Sequence, residues 1–307
     1  MTNRIQTYLL ILFFLVFSLI SSANAEVKVV TSIKPIHSLV SYIMDGVGKP
    51  DVIVDGYNSP HGFSLKPSHA KMLENADLVI WVGEDLEAFL EKPLQTIAKK
   101  AKNIELMDLK GIKKLEFREK NIFEEHDDHK EKDGHEGHGH GEHDPHVWLD
   151  PINAKVIIKE ITNQLVQLDS KNSSIYKSNS KKALTDIDKL VKDIKKELNK
   201  DLRFVVFHDA YQYFENRFDI QVLGALTVNT DVMPGAEQLS EIREVIEHEK
   251  VNCLFSEPQF NPAIIKSIVK DTNVKTGILD PLGAELDKGK NLYFNLLKNM
   301  SSSFKGC

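Results

Sequence analysis

Seven of the chain's twelve histidines lie in one run, "HDDHKEKDGHEGHGHGEHDPH", from His126 to His146. Imidazole nitrogen suits zinc, copper and nickel better than manganese, which takes more oxygen, so the composition points to transition-metal chemistry. Beyond this run stand His37, His61, His69, His208 and His248. None of them has the H-E-x-x-H spacing that marks a helical zinc site, so their place on the fold must sort them. In open parallel sheets, ligands bind beyond the carboxyl ends of the strands. His208 ends the apolar run "FVVFH" and Asp280 ends "TGILD"; His61 lies in "GYNSPHGF", after the run Asp51 to Val54, and His146 lies in "DPHVWLDP". Three imidazoles and a carboxylate from four such loops make a tetrahedral N₃O shell, the arrangement Zn²⁺ takes at ~2.0–2.2 Å per bond. The fourth place is open between Asp280 and water. Asp280 is favoured because a second anion offsets the charge of a poorly solvated divalent ion.

The elements that would hold these residues alternate. Val27 to Ser32, Val52 to Val54, Leu78 to Val82 and Ile104 to Met107 read as strands, with helices over Ile36 to Met44, Lys71 to Asn75, Ala88 to Ala101 and Ala154 to Leu168. A second set follows: strands Phe204 to Phe207, Ile220 to Leu226, Cys253 to Ser256 and Thr276 to Leu279, with helices near Tyr211 to Arg217, Ala236 to Glu249 and Pro262 to Lys270. This alternation predicts βαβ units with parallel sheets, hence two Rossmann-like α/β lobes, residues 26–172 and 201–307. Between them, 173–200 carries apolar residues at Tyr176, Ala183, Leu184, Ile187, Leu190, Val191, Ile194 and Leu198 without Pro or Gly. That stripe belongs to one rigid helix about 40 Å long, a strut between the lobes. With two ligands from each lobe, the metal sits in the cleft between them.

Residues 123–144 hold nine carboxylates, two lysines, four glycines and no apolar side chain after Phe123. Such a stretch cannot bury a core and is expected to be a disordered insertion. His126, His129, His135, His138, His140 and His143 are then weak auxiliary metal sites, since each binding event must also order the chain. The whole chain carries −6 and the insertion alone −7, which leaves no basic field for nucleic acid.

The opening "MTNRIQTYLLILFFLVFSLISSANAE" has one Arg, an apolar run and an A-x-A end, the form of a secretory leader cleaved after Ala25. No Cys near that point offers a lipid attachment site. The two cysteines, Cys253 and Cys307, are expected to pair in an oxidising compartment. The mature chain is expected to be a soluble monomer.

The segments "SPHGFSLKPSHAKMLENADLVIWVGEDLEAFL", "DPHVWLDP", "FHDAYQYF", "MPGAEQLSEIREV", "EPQF" and "LDPLG", in this order, resemble the periplasmic zinc-binding components of high-affinity zinc ABC uptake systems across nearly the whole mature chain. The resemblance implies two lobes on a backbone helix, Zn²⁺ held between them by His61, His146 and His208, and delivery to a membrane permease. Manganese-binding relatives carry Glu in place of His208, which also favours zinc. Some zinc members use an acidic residue just before the first His, where this chain has Pro60.

Plainer roles fit the other candidates. His37 and His69 read as surface or capping residues and His248 as solvated; Trp81 and Trp148 read as core, with Trp148 able to wall the cleft. Glu257, ending "CLFSE", suits either a hydrogen bond to a ligand imidazole or an ordinary salt bridge. A zinc hydrolase would need an open coordination position and a general base, for which Glu257 is the one candidate, and no G-x-S-x-G is present. A metal-storage or adhesive protein built on the tract would not need two full lobes.

Overall fold

The computed structural model describes residues 26–118, 120–123, 143–198, 203–228, 234–270 and 272–306. In the first half, β1 (Val29–Ile33), α1 (Lys34–Ile43), β2 (Asp51–Val54), α2 (Pro67–Glu74), β3 (Leu78–Trp81), α3 (Glu84–Thr96) and β4 (Lys102–Glu105) form a parallel sheet in the order β2-β1-β3-β4. β1 and β3 are buried along their whole lengths because helices cover both faces. Then come α4 (Pro151–Leu168) and α5 (Ser173–Glu197). The second half repeats the plan: β5 (Arg203–His208), α6 (Gln212–Phe218), β6 (Gln221–Thr227), α7 (Ala236–His248), β7 (Cys253–Ser256), α8 (Ala263–Ile268) and β8 (Lys275–Ile278), in the parallel order β6-β5-β7-β8. In both sheets the order in which strands are added thus reverses at the first strand, β1 or β5, the place where a crevice opens in such folds.

The two-lobe α/β fold is as the alternation predicts, and most boundaries fall within two or three residues. The long helix spans Ser173–Glu197 and buries Tyr176, Ser180, Ala183, Ile187, Leu190 and Ile194, at steps of three and four. It is fastened to the first lobe: Tyr42 donates to Asp186, and Asn179 Nδ2 donates to the carbonyls of Ile43 and Asp45 at 3.0 and 2.9 Å.

A last helix, α9 (Leu292–Gly306), escapes the sequence reading although Leu292, Leu296, Met300 and Phe304 repeat every four residues. It belongs to both lobes. The Tyr293 N–H donates to Ser38 Oγ (2.9 Å) and its hydroxyl donates to the Trp148 carbonyl (2.8 Å), while Phe304 packs on Phe204, Phe214 and Phe255. One apolar core therefore runs through the whole molecule, and a smaller one lies on the outer face of the second sheet. β5 feeds both by alternation, Phe204 and Val206 into the first and Val205 and Phe207 into the second.

Residues 1–25 lie outside the described residues, as do His126, His129, His135, His138, His140 and Cys307. Among the described residues no helix is long and apolar enough to cross a membrane. His143, read from sequence as part of the insertion, is placed: it forms an isolated antiparallel bridge with Glu116.

Candidate metal centre

His208 is the last residue of β5, so the strand ladder fixes its backbone. His146 precedes a short 3-10 turn, Val147–Leu149, whose three side chains are buried. His61 lies in the irregular loop between β2 and α2. From these three separate elements the imidazoles converge: their ligand nitrogens all lie within 4.8 Å of one another. The ring centroids of His61 are 5.6 Å from His146 and 5.8 Å from His208.

Each of the two buried imidazoles is oriented by a carboxylate. His146 Nδ1 lies 2.7 Å from Asp144 Oδ1, and His208 Nδ1 lies 2.6 Å from Glu257 Oε1. With Nδ1–H donated to a carboxylate, Nε2 is left as the lone-pair donor. The two Nε2 atoms face each other at 3.3 Å. Two zinc–nitrogen bonds of ~2.05 Å at a tetrahedral angle hold their nitrogens about 3.3 Å apart, so this edge of the shell is already set.

Electrostatics agree. Burial holds His61 and His146 well below the ordinary imidazole value, with the neighbouring imidazoles adding to the effect, so both offer neutral nitrogen. For His208 burial works downward, but the carboxylate of Glu257, with those of Asp209 and Asp144 adding to it, outweighs burial and raises the group from its ordinary value. Burial pushes the Asp144 carboxyl up to about 7. Trp148, fully buried, stands 5.3 Å from the His146 ring and donates its indole N–H to the Pro281 carbonyl (2.8 Å), joining the lobes beside the site. Pro60, Phe260 and Leu282 complete the wall.

Asp280 is not among the residues whose ligand atoms lie within 4.8 Å of one another. Its Oδ1 accepts from the backbone N–H of Leu282 (3.1 Å) and Gly283 (2.9 Å) and from Gln259 Nε2 (3.1 Å), and its Oδ2 accepts from Ala284 N. Asp280, expected from the end of "TGILD" as the fourth ligand, thus directs its carboxylate to its own loop. A carboxylate at the start of a tight loop is captured by the N–H groups of that loop. What it shapes is a seat for Lys34, buried at the start of α1, whose ammonium donates to the Ala284 and Leu286 carbonyls at 3.0 and 2.7 Å.

The plainer candidates divide as follows. His69 caps α2, accepting from Lys66 N at 3.2 Å. His37 is buried rather than on the surface, with Nε2 donating to the Pro50 carbonyl (3.2 Å). Glu257 takes the imidazole-orienting role. Asp144, its counterpart on His146, escapes the sequence reading because it merges with the acidic run; the signal available was an acid two residues before a ligand histidine.

The match of the family model for the periplasmic zinc-uptake complex component A, ZnuA, runs over residues 29–307. A high-affinity zinc uptake system protein ZnuA of Brucella abortus is 42% identical over 94% of this chain and 93% of its own. The chain belongs to the ZnuA family. Among solved structures, a ZnuA crystal structure covers 92% of this chain and 99% of its own at a TM-score of 0.77 and 22% identity. A manganese-bound periplasmic metal-binding protein from candidatus liberibacter asiaticus reaches 0.74 at 21% identity, covering 91% of this chain and 98% of its own. The ZnuA fold thus also occurs in a protein with manganese bound, and the choice of metal must come from the donor atoms.

Proposed function

We propose that this chain captures Zn²⁺ outside the cytoplasm with His61, His146 and His208 and passes it to the membrane permease of an ABC-type zinc uptake system. The observation that carries the reading is the convergence of three imidazoles, two of them with Nε2 atoms 3.3 Å apart. Three imidazole nitrogens suit zinc over manganese, and the 42% identical relative is named for zinc uptake. Water takes the fourth position, because the Asp280 oxygens are engaged by their own loop. The protein acts as a binding component rather than an enzyme: Glu257, the one candidate general base, is occupied with the His208 imidazole.

The same reading assigns residues 26–172 and 201–307 to the two lobes and 173–200 to the strut. It places a cleaved leader at 1–25, without lipid attachment, and a monomer in the periplasm. A Cys253–Cys307 disulfide is supported by the C-terminal helix, which brings Phe304 against Phe204 and Phe255, the neighbours of Cys253 across and along the sheet. The stretch from His126 to His143 serves as a weaker collector.

Calorimetry with Zn²⁺ at neutral pH tests this on the mature protein, on a version lacking 124–142, and on His61→Ala, His146→Ala and His208→Ala. The deletion is expected to keep tight binding and the three alanine variants to lose it. The reverse pattern would refute the site, and preferential Mn²⁺ occupancy in competition would refute the choice of metal.

A further inference from the structure

After β4 the chain leaves the first lobe and runs over the second before the histidine-rich insertion begins. Leu115 N donates to Tyr213 Oη (3.0 Å), and Gln212 Nε2 donates to the Glu116 carbonyl (3.1 Å). Arg118 then forks onto two carboxylates of the second lobe. Its Nε reaches Asp209 Oδ2 at 2.8 Å, and its terminal nitrogens reach Asp209 Oδ1 at 2.5 Å and Glu215 at 2.7 and 3.1 Å. The guanidinium also lies 3.7 Å over the Phe123 ring. Farther on, the segment pairs with the edge of β6: Ala225 N donates to the Asn121 carbonyl (2.8 Å) and Phe123 N to the Leu223 carbonyl (2.9 Å). Gly224 permits this contact, because a Cβ there would stand 2.7 Å from the Asn121 carbonyl oxygen.

The returning chain is tied to the same place. Asp144 N donates to the Leu115 carbonyl (2.8 Å), and Tyr213 Oη donates to the Asp144 carbonyl (2.7 Å). Asp144 in turn holds both the backbone N–H and Nδ1 of His146, at 2.9 and 2.7 Å. Asp209, the residue after His208, is the other end of the Arg118 fork. One cation and one tyrosine therefore link the backbone of a ligand loop reached from the first lobe to the strand end that bears a ligand of the second.

We infer that Arg118 is a positioning residue for metal capture: by pinning the stem of the insertion to Asp209 and Glu215 it sets the spacing of His146 and His208 before the ion arrives. This rests on the metal site proposed above. It assigns the mutual placement of these two ligands to the stem and not to the long helix, and makes the stem's grip on the second lobe a determinant of affinity. A bidentate planar fork is what this geometry needs, so a lysine should replace it only in part.

The test compares the full mature chain with Arg118→Met, Arg118→Lys, Gly224→Ala and, as a control, His146→Ala. Zinc affinity is measured by chelator competition, and the visible absorption of the Co²⁺-loaded protein reports ligand geometry that a loss of stability alone would not move. Arg118→Met is expected to bind zinc ~10–100-fold more weakly, the usual effect of losing support around a ligand, and to show weakened, shifted tetrahedral Co²⁺ bands. Arg118→Lys should recover part of both. Gly224→Ala, which displaces Asn121 without touching a charge, should move them in the same direction. Folded Arg118→Met and Gly224→Ala proteins with wild-type affinity and spectrum would overturn the inference. Should Arg118→Met not fold, Gly224→Ala decides alone by the same two outcomes. Tight binding retained by His146→Ala would instead overturn the site itself.

Discussion

Replacing Glu257 by glutamine removes one charge and keeps the shape of the residue that orients His208. The bond it makes is short and buried: 2.6 Å from Nδ1, with Glu257 itself 3% exposed. A hydrogen bond to a buried charged group contributes about 1.5–3 kcal/mol, which at ~1.4 kcal/mol per decade is ~10–150-fold in affinity. The same charge has an opposing effect. It helps to raise the pKa of His208, so as pH falls zinc must displace a proton that Glu257 helps to hold. In the glutamine variant that proton is held less firmly. The expected result is a zinc affinity at pH 7.5 weaker by ~10–100-fold, with the deficit narrowing as pH falls to 6. Chelator competition at the two pH values measures it, and calorimetry in buffers of different ionisation enthalpy should show fewer protons released per zinc in the variant. A deficit that widens on acidification, or no deficit at pH 7.5, would refute the assignment of Glu257.

Asp280→Ala strips the acceptor from three loop N–H groups and Gln259. It should cost about 1–3 kcal/mol in denaturant unfolding while zinc affinity changes less than ~10-fold; a larger loss of affinity would restore Asp280 as a ligand. Glu87, fully buried, has its carboxyl pushed up to about 7 chiefly by burial, with the charge of Glu105 adding to it. A raised carboxyl pKa gives stability that is complete below the unfolded value of 4.5 and lost as pH climbs through about 7. Glu87→Gln should therefore match the wild type near pH 5 and be more stable by ~2–3 kcal/mol at pH 8. Thermal melts across that range check it, and a constant difference would count against the cause.

Much of this protein is legible in its sequence, for reasons that are local. Apolar runs in alternation with helical patterns marked both sheets because the inner strands β1, β3 and β5 are buried on two faces, and "FVVFH" ends at the residue where β5 ends. The stripe from Tyr176 to Ile194 gave the long helix because 3.6-residue periodicity needs no partner to be seen. His61, His146 and His208 could be picked out by their places at strand ends and loops. Tertiary structure alone decided what their neighbours do. Asp144 and Asp280 are both aspartates at loop starts, yet one orients an imidazole and the other closes its own loop, because only the packing fixes which N–H groups lie within reach. The reach of Arg118 across 91 positions to Asp209 and of Lys34 across 250 to Ala284 carries no periodic signal at all. A sequence specifies which groups a chain owns; the distances that turn them into a site arise when the two lobes close on each other.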